Sequence, residues 1–160
     1  VDARLSDAAL AALTAPARGI RTVLLATDLS PASDEATTQA IDLAASISAR
    51  LLVVNVIGGD DSDRSRAAPY SAAPRLDQQR ASRERPLLAI VDRARIRGVD
   101  AAFLLWTGEA GEGVVAAAQA EGADLIVVGT RGLDRAGRYL LGSVSEYVVY
   151  HSACPVLVAH

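Results

Sequence analysis

The chain predicts an α/β fold: an open, doubly wound sheet of five parallel strands with helices on both faces. Three observations predict it. Short runs of Val, Leu and Ile recur along the chain, separated by longer stretches with helical spacing. The runs are nearly continuous rather than alternating, as suits strands covered on both faces. Strands alternating with helices imply parallel pairing through right-handed crossovers, which place helices on either side of the sheet.

Residues 1–19 form an N-terminal extension ahead of a domain spanning 20–160. Leu5, Ala9, Leu10 and Leu13 define one face of a short helix, with Ser6 as cap and Ala15-Pro16-Ala17 as its end. Ile20 to Ala26 is the first strand. Ser30-Pro31 then reads as an N-cap followed by proline at the first helical position. Asp34 and Glu35 suit the first turn. Ala36, Ala40, Leu43, Ala44 and Ile47 follow at helical spacing. Leu51 to Ile57 is the second strand.

Gly58 to Arg75, rich in Gly, Asp, Ser and Pro, reads as a long excursion over a site. From Leu76 to Arg97 the pattern is helical, with Leu87, Leu88, Val91 and Ala94 on the inner face. Pro86 is expected to kink this helix or to mark its start. Gly98 is a stop signal. Val99 to Trp106 is the third strand. Glu109 to Glu112 enters a helix that Glu121-Gly122 ends. Leu125 to Val128 is the fourth strand, and Pro155 to Ala159 the fifth.

Composition narrows the functional classes. A chain of 160 residues is of single-domain size. Sixteen Arg and no Lys stand against 19 acidic residues, a formal charge of −3, so there is no electrostatic case for nucleic acid. The single cysteine, Cys154, excludes an internal disulfide and suits a reducing, cytoplasmic setting. No apolar run approaches the ~18 residues of a membrane span. Val1-Asp2-Ala3-Arg4 lacks the apolar core of a signal peptide. The absence of Met suggests a missing or processed start, so the chain also reads as a fragment of something longer.

The stretch from Gly129 to Ser143 carries the chemistry. Gly129-Thr130-Arg131-Gly132, nine residues, then Gly142-Ser143 join a buried strand to a helix start. Glycines let the backbone approach a ligand, and a helix N-terminus offers unpaired N–H groups and partial positive charge. Together they suit phosphate. Taken singly, Gly129 would equally end a strand, and Ser143 with Glu146 would form a capping box. The loop is neither a Walker A sequence nor a dinucleotide fingerprint. Asp28 stands at the carboxyl end of the first strand, the rim where open α/β sheets bind ligands. A turn-forming Asp would stand there too.

The spacing Gly-x2-Gly-x9-Gly-Ser resembles the nucleotide loop of the ATP-binding universal stress proteins. Asp124-Leu125-Ile126-Val127-Val128 before it, Cys154-Pro155-Val156-Leu157-Val158 at the end, and Val23 to Ser30 near the start resemble the same family. The resemblance covers residues 20 to 160. It implies strand order 3-2-1-4-5, which brings Asp28 and Gly129 to one crevice. It also implies ATP binding with Mg²⁺ or Mn²⁺, and a regulatory role in stress response. The implied ligand contacts are Ala26, Thr27, Asp28, Val56, Val128, Gly129, Arg131, Gly132, Gly142, Ser143 and Val144, with Asp28 facing the ribose or the metal. A homodimer through the final strand, 155–159, is implied as well. Slow ATP hydrolysis, a preference for AMP or a cyclic nucleotide, and a role as one domain of a longer chain are the alternatives. No acid–base constellation is visible in the sequence, which favours a binding module over an enzyme.

Overall fold

The computed structural model describes residues 19–58, 72–130 and 141–160. Strands β1 (Thr22–Ala26), β2 (Arg50–Ile57), β3 (Ala101–Thr107), β4 (Leu125–Gly129) and β5 (Val156–Ala159) form one sheet. All pairs are parallel and the order is β3-β2-β1-β4-β5, as expected. Helices α1 (Asp34–Ile47), α2 (Ala72–Ile96), α3 (Ala110–Ala120) and α4 (Ser143–His151) connect the strands, and a 3-10 turn, Pro31–Ser33, precedes α1. The short helix expected at Leu5 to Leu13 lies outside the described residues.

Alternate strand residues feed two cores. Val23, Leu25, Leu51, Val53 and Val127 face α1 and α2. Leu24, Val54, Ile126 and Val128 face α3 and α4. Leu24, Leu25, Leu51, Leu52 and Ile126 are fully buried, and each such side chain stabilises the fold by about 2 kcal/mol relative to exposure. This double coverage explains why the strand runs are continuous in sequence.

Two helix expectations need correction. Helix α2 begins at Ala72, inside the stretch expected to be irregular, and it runs through Pro86 without ending. Pro86 and Ser82 are both exposed, so the carbonyl that loses its helical donor there belongs to a solvent-facing turn. On the same helix Leu88 is 45% exposed, while Leu87, Ile90, Val91 and Ala94 are buried. The inner face is thus as expected at Leu87, Val91 and Ala94, with Ile90 in place of Leu88.

Register at the far end of the sheet sets the site. One carboxylate oxygen of Asp124 accepts the N–H groups of Arg21 and Thr22 at 2.9 and 3.0 Å, and its own N–H donates to the Thr22 carbonyl. These bonds lock the starts of β1 and β4 together. Ala26 consequently pairs with Val128, and the turns after both strands emerge side by side.

Candidate functional site

A cavity of about 320 Å³ opens at the carboxyl ends of β1, β2 and β4. Its walls come from the turn after β1, from β2, from Gly129 and Thr130, and from the starts of α3 and α4. Of the residues expected at a site, Ala26, Thr27, Asp28, Val56, Val128, Gly129, Gly142 and Val144 all line it. Ser143 is exposed at the first position of α4, between two lining residues. Arg131 and Gly132 lie outside the described residues.

The turn after β1 is tightly organised. Thr27 N–H donates to the Val54 carbonyl at 3.0 Å, which carries the strand pairing one step further. The hydroxyls of Thr27 and Ser33 hydrogen-bond at 2.9 Å, and Thr27 Oγ1 also accepts Leu29 N–H at 3.0 Å. Leu29 has φ 64°, a left-handed conformation costly for a side chain of this kind. Asp28 Oδ1 accepts both the hydroxyl and the N–H of Ser30, at 2.6 and 2.9 Å. Burial by itself raises the Asp28 carboxyl, but hydrogen bonds from the Ser30 hydroxyl, the Ser30 N–H and the Ser33 hydroxyl outweigh it. The net pKa lies below the ordinary carboxylate value. Asp28 therefore presents a negative charge at neutral pH.

The opposite wall has the reverse polarity. Gly142 is the N-cap of α4 in extended conformation, without a side-chain cap. Glu146 N–H donates to the Gly142 carbonyl at 2.9 Å, so the N–H groups of residues 143–145 precede the first helical bond. A Ser143–Glu146 capping box, the alternative reading of these two residues, is not formed, because Ser143 stands inside the helix rather than at its cap. Ser145 takes up the local bonding instead, its buried hydroxyl donating to the Gly142 carbonyl at 2.9 Å. Gly142, Val144 and Ser145 of this terminus line the cavity, and among the described residues no side-chain cap bond closes it, so its positive end is toward the cavity.

Close packing shapes the third wall. A Cβ at Gly113 would lie 2.8 Å from Val56 Cγ1, and one at Gly111 would lie 2.8 Å from the Tyr147 ring. Glycine at these positions lets α3 sit directly on β2 and on α4. Val54, Val56 and Val114 then give the cavity an apolar side.

Residues that sequence reasoning missed are as informative as those it found. Asn55, 1% exposed, donates from Nδ2 to the Thr27 carbonyl at 2.8 Å. Its signal was legible: it is a polar residue inside the apolar run Leu51–Ile57. Arg83 and Ser33 also line the cavity. No local pattern distinguishes them from solvated helix residues. Among the described residues, no group of three His, Cys, Asp or Glu side chains is placed to hold a metal ion. No described helix is long and apolar enough to cross a membrane.

Known proteins share this architecture. A universal stress protein of Thermus aquaticus is 37% identical over 142 residues, covering 86% of this chain and 97% of the relative. One from Synechocystis sp. is 33% identical over 150 residues, covering 88% and 97%. A solved universal stress protein in complex with cAMP superposes with a TM-score of 0.62 at 31% identity, covering 88% of this chain and 97% of that one. The profile of the universal stress protein family itself matches residues 19–160, from just before β1 to the end of β5. With that span, the shared strand order and relatives matched over nearly their whole length, the chain belongs to the universal stress protein family.

Proposed function

We propose that this protein is a regulatory binding module that takes an adenine nucleotide, ATP with Mg²⁺, in the cavity at the strand ends. The observation that carries the reading is the meeting of Asp28, Gly129 and the N-terminus of α4 around one cavity. The uncapped helix end favours the phosphates, and the valine wall suits a base. The ionised Asp28 suits ribose hydroxyls or a metal. Magnesium is commonly held by one or two carboxylates together with substrate phosphates, so a single carboxylate fits Mg²⁺, or Mn²⁺, arriving with the nucleotide. Gly132, Arg131 and Ser143 complete the proposed phosphate loop.

The relative bound to cAMP favours a second reading, in which a cyclic or monophosphate nucleotide is preferred. Slow ATP hydrolysis is compatible with the site; among the described lining residues neither a histidine nor a second carboxylate offers a general base. A cytoplasmic homodimer completes the proposal. It is supported by the exposure of Leu157 on edge strand β5 and of Val149 and Tyr150 on α4.

Calorimetric titration with ATP, AMP and cAMP, each with Mg²⁺ and with EDTA, tests the reading. Tightest binding of ATP in Mg²⁺ is expected. Preference for cAMP or AMP would move the assignment to the second reading, and absence of binding by all three would remove both. A turnover in the usual enzyme range of about 1–10³ s⁻¹ would replace the binding module with an ATPase.

A further inference from the structure

The cavity holds one cationic side chain among its described lining residues, Arg83. It lies in the middle of α2, which packs on β2 and β3. Arg83 Nη1 donates to Asn55 Oδ1 at 2.8 Å. The same Asn55 gives its Nδ2 to the Thr27 carbonyl. This sets the amide orientation, because a flipped amide would face donor to donor and acceptor to acceptor. Asn55 is thus a buried holder whose free end grips the guanidinium. One turn earlier Arg80 reaches Thr107 Oγ1 at 3.5 Å, so this face of α2 runs along the strand ends. Among the described residues Asn55 is the one hydrogen-bond partner of Arg83, and a guanidinium carries five donors.

We infer that Arg83 is a ligand-positioning residue that meets the base end of the bound nucleotide. The inference rests on the nucleotide reading above and deepens it. Strand β1 separates β2 from β4, so about two strand spacings of ~4.8 Å lie between the Arg83 side and the Gly129 side. The helix terminus that suits an anion belongs to the Gly129 side. Val54, Val56 and Val114 line the same cavity from the α3 side of the sheet. A nucleotide with its phosphates at α4 directs its base toward β2 and Arg83. A guanidinium stacks its plane on an aromatic face and directs a fork of donors at ring nitrogens, and an ammonium does neither in the same way.

The test compares the full chain with its Arg83→Ala and Arg83→Lys variants, by calorimetry with adenosine and with ATP. Both variants are expected to weaken both ligands by a similar factor, roughly three- to thirtyfold. A loss confined to ATP, or full rescue by lysine, would assign a phosphate contact and overturn the inference. Unchanged affinities in folded variants would overturn it too. Failure of the unsubstituted chain to bind either ligand would instead remove the nucleotide reading, and this inference with it. Far-UV circular dichroism monitors folding; if alanine unfolds the chain, Arg83→Gln makes the same comparison.

Discussion

The side-chain amide of Asn55 donates to the main-chain carbonyl of Thr27 at 2.8 Å, joining the interior of β2 to the turn that follows β1. Thr27 is 6% exposed, so its carbonyl has little water to turn to. Asn55→Leu keeps the branched shape and removes the donor. We predict a loss of about 1–3 kcal/mol, the usual cost of an unsatisfied buried polar group, read from urea unfolding. An unchanged midpoint would mean that the carbonyl finds another donor.

Gly113 and Val56 provide a second test. An added methyl at Gly113 meets two Val56 methyl carbons at 2.8 and 3.0 Å and Trp106 Cδ1 at 3.2 Å. Valine is stiff about χ1 and cannot easily turn away. Overpacking of this kind costs about 1–3 kcal/mol, against a helix gain of up to ~1 kcal/mol for replacing glycine. Gly113→Ala is therefore expected to lower stability, and to weaken ATP because Val56 lines the cavity. A stabilised variant would show that α3 moves off the sheet freely.

Ser143 and Ser145 separate ligand chemistry from local structure. Ser145 holds the Gly142 carbonyl, so Ser145→Ala should lower stability by about 1 kcal/mol. Ser143 is exposed at the helix start. Its replacement by Ala should leave stability nearly unchanged and weaken ATP more than adenosine. Equal losses for both ligands would remove Ser143 from the phosphate end.

Asp28 carries a pH prediction with a definite sign. Its folded pKa is lowered, so the ionised form stabilises the folded chain. That contribution is complete above the ordinary carboxylate value of about 3.9 and is lost as pH falls through the lowered folded value. In Asp28→Asn the acid limb of stability against pH should be shallower below about pH 4, as read by urea midpoints across pH. The same variant should lose more ATP affinity in Mg²⁺ than in EDTA. Equal losses in the two buffers would place the metal elsewhere.

Strand β5 allows association to be separated from folding. The Pro155 and Ala159 carbonyls accept from Ile126 and Thr130 N–H of β4 and its extension. By the alternation of a parallel ladder, Leu157 also bonds inward, and the N–H groups of Val156 and Val158 point to the open edge. Proline at 156 or 158 should therefore dissociate a dimer and keep the fold, whereas proline at 157 should damage the sheet. Light scattering with circular dichroism reads both. Folded variants at 156 and 158 with unchanged mass would move any dimer to another surface.

The sequence by itself determined the five strands, their coverage on both faces and the place of Asp28, Gly129 and Gly142 at strand and helix ends. These are local properties: continuous Val/Leu/Ile runs bury on both sides, and Gly and Asp punctuate where a strand must stop. Strand order came through resemblance to a family, since periodicity does not say which strand lies beside which. Only the tertiary structure decided that Arg83, one arginine among many on α2, arrives over β2 and is gripped by Asn55. It likewise decided that α2 continues through Pro86, because packing of Leu87, Val91 and Ala94 against the sheet outweighs one lost main-chain bond on an exposed turn. Gly142 rather than Ser143 caps α4 for the same kind of reason. Capping propensity is worth about 1 kcal/mol, and burial of Ser145 and Val148 against the rest of the fold sets the phase of a short helix more firmly than that.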